Sequence, residues 1–176
     1  MKKIVVFLVA FIIGSGIHAQ ETYTLSPEST LTIDGTSTLR DWSTTANTLK
    51  GSLVTQAGTP KEILLEVPVA DIKSERGATM DKKTFNALKG TEHPMVTFML
   101  TDFGDNNMIM GTLSVAGVEK EVSVTSSITA EGSSFILSGE YTITLEEYNM
   151  EPPSAMFGQI VVGEDVVVHF NLVFTK

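Results

Sequence analysis

From Val166 to Phe174 the chain alternates: Val166, Val168, Phe170, Leu172 and Phe174 share one face, while His169 and Asn171 fall on the other. A period of two marks a β-strand with one buried face, because successive side chains of a strand point to opposite sides. The pattern recurs in Phe135, Leu137, Tyr141 and Ile143, in Val96, Phe98 and Leu100, and in Ile63, Leu65 and Val67. Leu31 and Ile33 open the domain, and Trp42 to Val54 reads as a long, Thr-rich strand or hairpin. Gly139, inside one alternating run, predicts a bend or bulge, and Pro68 predicts a strand end or an edge.

Short polar stretches separate these runs: Gly58-Thr59-Pro60, Gly104 to Asn107, Gly117, and Glu131-Gly132-Ser133. They are hairpin connections by length and residue type. Two segments break the rhythm. Thr79 to Lys89 is rich in helix formers, with Met80, Thr84, Ala87 and Leu88 on one face and Gly90 as a C-terminal stop. Glu146 to Gly158 holds Pro152-Pro153 and reads as a loop with room for one helical turn. The sequence therefore specifies an all-β fold of antiparallel strands with one short helix. Eight strands or so fit a sandwich or a closed barrel. Runs of about ten residues suit the tilted staves of a barrel, whose eight-stranded form holds its own side chains or one slender ligand.

The N-terminus carries an address. Lys2 and Lys3 precede an unbroken apolar run from Ile4 to Ile13, and Ile17-His18-Ala19 leads to a cut before Gln20. This is the layout of a secretory signal peptide over residues 1–19, leaving 20–176 as a single domain. A membrane anchor would need about 20 apolar residues, more than this run supplies. Cleavage would take away two lysines and no acid, moving the net charge from −9 to −11. So acidic a surface argues against nucleic acid as a partner and against charge-driven seating on anionic membranes. There is no cysteine, so neither disulfides nor an acylated N-terminal Cys enters the reading. The expected location is outside the cytoplasm, periplasmic or secreted.

Signals for catalysis are sparse. After the leader only His93 and His169 remain, the first before Pro94 and the second on the polar side of the last strand. No nucleophile elbow or metal-binding histidine pair is present. Glu146, Glu147 and Glu151 cluster near a loop but read as solvated acids. Asp34 and Asp41 bracket a turn as caps. Asp102, Asp105, Asn106 and Asn107 lack the spacing of a calcium loop. No catalytic residue, metal or cofactor is expected. The methionines stand out: Met80, Met95, Met99, Met108, Met110, Met150 and Met156. Their flexible thioethers suit either core filling or a plastic apolar cavity.

Three blocks resemble the YceI-like family: Gly35-Thr-Ser-Thr-Leu-Arg-Asp-Trp42, Leu88-Lys-Gly-Thr-Glu-His-Pro-Met-Val-Thr-Phe98 and Tyr148-Asn-Met-Glu-Pro-Pro153. The resemblance spans about Glu21 to Lys176. It implies a lipocalin-like, eight-stranded antiparallel barrel with a helix against its side or mouth. Some relatives hold a long isoprenoid or acyl chain, and the family offers no catalytic motif to transfer. Similar members often carry His where Arg40 stands, so no role passes to Arg40.

The reading that follows is a non-enzymatic, exported binder of a long apolar lipid, polyisoprenoid or fatty-acyl. Burying a methylene is worth roughly 0.8 kcal/mol, so a long chain needs no charged anchor, and the sequence shows no basic pocket motif. Leu31, Ile33, Trp42, Phe98, Leu100, Phe135, Leu137 and Phe170 are the expected lining, with Phe85, Leu88, Met150 and Met156 around the mouth. The rival is a secreted interaction or stress-associated module whose barrel is fully packed and acts through its surface.

Overall fold

The computed structural model describes residues 20–104, 107–155 and 157–176, so the leader expected at 1–19, Asp105 and Asn106 of the polar turn, and Met156 lie outside the described residues. Twelve strands form in chain order: β1 (Gln20–Leu25), β2 (Thr30–Ser37), β3 (Trp42–Ala46), β4 (Lys50–Gln56), β5 (Thr59–Pro68), β6 (Ile72–Ser74), β7 (Met95–Phe103), β8 (Met108–Val115), β9 (Val118–Glu131), β10 (Ser134–Thr144), β11 (Ser154–Ala155) and β12 (Ile160–Thr175). One helix, α1 (Ala78–Ala87), sits between β6 and β7. Eight strands close antiparallel in the order β1-β4-β5-β7-β8-β9-β10-β12, with β12 returning to β1. The chain is an all-β, lipocalin-like barrel.

The three further strands β2, β3 and β6 prolong the staves begun by β1, β4 and β5. Each joint is a local interruption. At Ser26–Ser29 the chain steps around Val173, which accepts from the Ser26 N–H at 2.7 Å and donates to Ser29 Oγ at 2.9 Å. Residues 69–71 form a 3-10 turn, and the Asn47 N–H donates to the Asp71 carbonyl at 3.0 Å, so the two neighbouring joints are tied together. Beyond that tie β6 pairs with β3 and not with β7. Helix α1 packs against β6 at this end of the barrel.

The hairpins follow their sequence signals. Ala57-Gly58 and Ala116-Gly117 both have positive φ, as the two-residue turns matching strand twist require. The helix ends one residue earlier than its glycine suggested. Lys89 takes the left-handed conformation at φ 52°, the Lys89 N–H bonds the Asn86 carbonyl, and the Gly90 N–H bonds the Phe85 carbonyl at 2.9 Å. That double closure is a Schellman end. Gly90 serves to admit the Phe85 ring, which occupies the space a Cβ would need. The helical turn expected in the 146–158 loop is a 3-10 turn over Leu145–Tyr148.

Gly139 does not make the bulge expected of it against β12. Its register with β12 runs unbroken, Ser138↔Asn171, Gly139↔Phe170, Glu140↔His169, so there is no bulge on that side. A Cβ at Gly139 would lie 2.9 Å from Phe170 Cζ and 2.6 Å from the Thr125 carbonyl oxygen. The glycine is a seat for a ring.

Candidate functional site

The inward faces of the staves do not fill the barrel evenly. At the end where β1 meets β12, Tyr23, Leu53, Phe135 and Phe174 pack into a floor, and Leu53 and Phe174 are fully buried. The Tyr23 and Phe135 rings meet edge to face, with centroids 5.0 Å apart. Above this floor lies a cavity of about 380 Å³, within the usual range of small-molecule sites. Its deep wall is aliphatic, including Ile63, Ile109, Leu113, Val122 and Leu172.

Three aromatic side chains of the wall lie against glycines on neighbouring strands. Trp42 covers Gly35, Phe98 covers Gly111, and Phe170 covers Gly139. With no Cβ beneath, each ring settles onto the sheet, which keeps it out of the lumen. The Trp42 indole is fixed further by its Nε1–H, which donates to the Thr36 carbonyl at 2.9 Å.

Helix α1 turns Met80, Lys83, Thr84 and Ala87 toward the lumen, followed by Leu88, the spacing of one helical face. Its start is pinned to β6, where the Ser74 N–H donates to Asp81 Oδ1 at 2.8 Å. On the other side of the mouth Lys83 Nζ donates to the Ser154 carbonyl at 3.2 Å. The β2–β3 corner is organised by Ser37, whose Oγ accepts from the Leu39 and Arg40 N–H groups and donates to the Arg40 carbonyl. Ser37 does the capping expected of Asp34 and Asp41, because its short hydroxyl reaches amides two and three residues on.

Eight of the residues singled out in the sequence border this cavity: Leu31, Ile33, Trp42, Leu88, Phe98, Leu137, Met150 and Phe170. Three do not. Phe135 belongs to the floor with Tyr23. Leu100 is buried in the core without reaching the lumen, two positions beyond Phe98 on the inward face of β7. Phe85 is one residue off the lumen-facing stripe of α1 and packs on Gly90 instead. Met156 lies outside the described residues.

The sequence reading missed the polar residues of the mouth. Arg40, Arg76 and Lys83 all border the cavity, and no Asp or Glu does among the described residues. Lys83 was accessible in principle, since it sits at the i+3 position from Met80 on the helix face. Arg76 was not, because its place depends on the β3–β6 pairing. Thr44 also lines the wall and is buried, with its Oγ1 lacking a hydrogen-bond partner among the described residues. Tyr141 borders the lumen as well. Burial raises its pKa, as it does that of Tyr148, so both stay neutral phenols at physiological pH.

His93 and His169 stand apart from the cavity. His93 packs against Gly117 at a hairpin. His169 lies on the outer face of β12 between Asp34 at 3.4 Å and Glu140 at 3.5 Å. Glu147 pairs with Lys120 at 3.0 Å. No group of three or more His, Cys, Asp or Glu placed to hold a metal occurs among the described residues. Nor is any helix among them long and apolar enough to cross a membrane.

A model of the YceI-like domain family matches residues 23–174. Among solved structures, a polyisoprenoid-binding domain from Saccharophagus degradans implicated in plant cell wall breakdown is similar at 14% identity and TM-score 0.71, over 88% of this chain and 98% of that one. BcnA of Burkholderia cenocepacia is similar at 15% identity and TM-score 0.69, over 82% of this chain and 95% of that one. The YceI protein of Campylobacter jejuni is similar at 16% identity and TM-score 0.56, over 66% and 73%. No curated protein sequence matches the chain.

Proposed function

The chain belongs to the YceI-like family, and from that footing we propose that it is an exported, non-catalytic binder or carrier of one long apolar lipid chain, polyisoprenoid or fatty-acyl. The observation that carries this reading is the cavity of about 380 Å³ bounded by aliphatic and aromatic walls. A chain sliding into it exchanges water for apolar contact at roughly 25 cal/mol per Å², with no chemistry required. The similarity to a polyisoprenoid-binding domain supports the same ligand class. The leader-like N-terminus supports export, and a carrier between membranes needs no anchor of its own.

The lining is proposed to be the apolar wall: Leu31, Ile33, Trp42, Phe98, Leu137 and Phe170, with Leu88 and Met150 toward the mouth. A surface-acting module with a packed barrel calls for a filled interior, whereas this interior is hollow above its floor. Native mass spectrometry of the domain purified from its own host, followed by organic extraction, tests the proposal. A one-to-one adduct of long-chain mass that extracts into solvent is the expected result. A bare protein mass that persists after incubation with polyprenyl and acyl lipids would overturn it.

A further inference from the structure

The charge of the mouth is opposite to the charge of the molecule. Acids outnumber bases 21 to 12 in the chain, yet the charged residues bordering the cavity are Arg40, Arg76 and Lys83. An even sprinkling of surface charge would have placed acids there first. None of the three has a carboxylate within 4.0 Å among the described residues. Arg76 Nη2 donates to the Asp41 carbonyl at 2.6 Å and Lys83 Nζ to the Ser154 carbonyl at 3.2 Å. Those acceptors are neutral, so Arg76 and Lys83 are held in place without an ion pair.

The fold brings the three together from distant parts of the sequence. Thr44 pairs with Ser74 across β3 and β6, so the chain before β3, with Arg40, and the chain after β6, with Arg76, leave from one corner. Lys83 arrives on the lumen-facing stripe of α1. On the same strand pair sits Thr44, whose buried hydroxyl lacks a partner among the described residues; such a group gains free energy once an acceptor reaches it. On the outer side of this corner a shallow groove is bordered by Asp34, Asp41, Glu75, Glu164 and Asp165, and Arg76 borders both this groove and the cavity. The field of these acids would repel an anion from the outer side, which leaves the cavity side as the favourable approach.

We propose that this mouth is an anionic headgroup site, so that the lipid held by the barrel is a single chain ending in a carboxylate or a phosphate, met by Arg40, Arg76 and Lys83. The inference rests on the lipid-binding reading above and adds the chemistry of the head. Guanidinium and ammonium groups answer either anion, Arg by paired N–H donors and Lys as a point charge. An apolar lumen with a cationic rim selects an amphiphile whose tail enters and whose charge stays at the entrance.

The test compares chains of equal length with different heads, read by displacement of a bound fluorescent lipid. A fatty acid is set against its fatty alcohol, and a polyprenyl phosphate against its polyprenol. The expected result is that at least one anion binds about tenfold more tightly than its alcohol, which equals about 1.4 kcal/mol, and the pair with the larger ratio names the headgroup. The ratio should shrink toward one in the triple variant Arg40→Gln/Arg76→Gln/Lys83→Gln. It should shrink also in wild-type protein at high salt, where the Debye length falls from about 10 Å at 0.1 M to about 3 Å at 1 M. Equal affinity for both anions and their alcohols in the wild type would overturn the headgroup site while leaving the barrel a lipid binder. Binding of none of the four would overturn the lipid reading and this inference together. The wild-type ratio and its salt dependence need no variant, so a misfolded triple mutant leaves the test intact.

Discussion

The two ends of this barrel are made by the same staves, and only one of them is filled. At the floor, Tyr23, Leu53, Phe135 and Phe174 point inward and meet. Toward the mouth the wall carries aromatics just as large, Trp42, Phe98 and Phe170, but each lies against a glycine of the adjacent strand. Hydrophobicity is therefore not what separates packed core from open lumen. The difference lies in what stands opposite each ring, and in the replacement of a β6–β7 ladder by a helix. Glycine placement hollows the barrel, and α1 with its lysine and methionine lines the entrance.

The sharpest way to break this comparison is to remove one ring from each end. Phe174→Ala should cost about 3–5 kcal/mol, the range for a fully buried Phe. Phe170→Ala should cost less than half of that, because a ring bordering a void has fewer partner atoms to lose. Urea unfolding measures both, and equal losses would mean that the lumen is collapsed in solution.

Adding volume probes the same contrast from the other side. Leu53→Trp in the floor should destabilise by about 1–3 kcal/mol or prevent folding, as overpacking does. Leu137→Trp, at a buried site that borders the cavity, should cost less than Leu53→Trp, because the lumen can take up part of the added volume, and should abolish lipid retention by occupying it. A Leu137→Trp protein that folds and retains lipid unchanged would remove Leu137 from the lining.

A smaller effect separates two buried threonines. Thr55 and Thr44 both have an unpartnered Oγ1 among the described residues, but only Thr44 borders the cavity. Thr55→Val should raise stability by about 1 kcal/mol, since it removes a desolvated hydroxyl without changing shape. Thr44→Val should gain less, because a methyl at the cavity wall finds fewer partner atoms than one in a fully packed site. Thermal unfolding of the pair gives the order.

The smallest expected effect lies at the outer seam of the floor, where Lys176 Nζ donates to Glu21 Oε1 at 2.8 Å. That hydrogen bond, together with one from the Tyr23 hydroxyl, lowers the Glu21 pKa. A carboxyl lowered on folding contributes stability above its unfolded value of about 4.3, and the contribution is lost as pH falls through the folded value. Glu21→Gln should therefore lower the urea midpoint slightly at neutral pH and leave it unchanged in acid. A difference that persists in acid would point to lost packing.

Much of this was legible in the alternation of apolar residues. Val166, Val168, Phe170, Leu172 and Phe174 do share the inward face of β12, and the turns at Gly58 and Gly117 fall where the residues placed them. Height along the barrel was not legible. Phe135 and Leu137 are neighbours on one face, but one packs into the floor and the other borders the cavity. Period two gives the face of a strand, whereas register across the closed ring gives the level. The glycines were visible as residues, but their role depends on which ring lies across from them, as with Gly139 and Phe170. Arg40 and Arg76 stand far apart in sequence and reach one corner of the mouth only because β3 pairs with β6.

The most direct test uses the chain's single tryptophan, which borders the lumen. Titrating the folded domain with a fatty acid brominated along its tail, and following Trp42 emission, asks whether the chain enters the barrel. Saturable quenching at one lipid per protein, reversed by an unlabelled long-chain competitor, is the expected result. Stoichiometric binding by mass spectrometry that leaves Trp42 emission untouched would place the lipid outside the cavity and contradict the central claim.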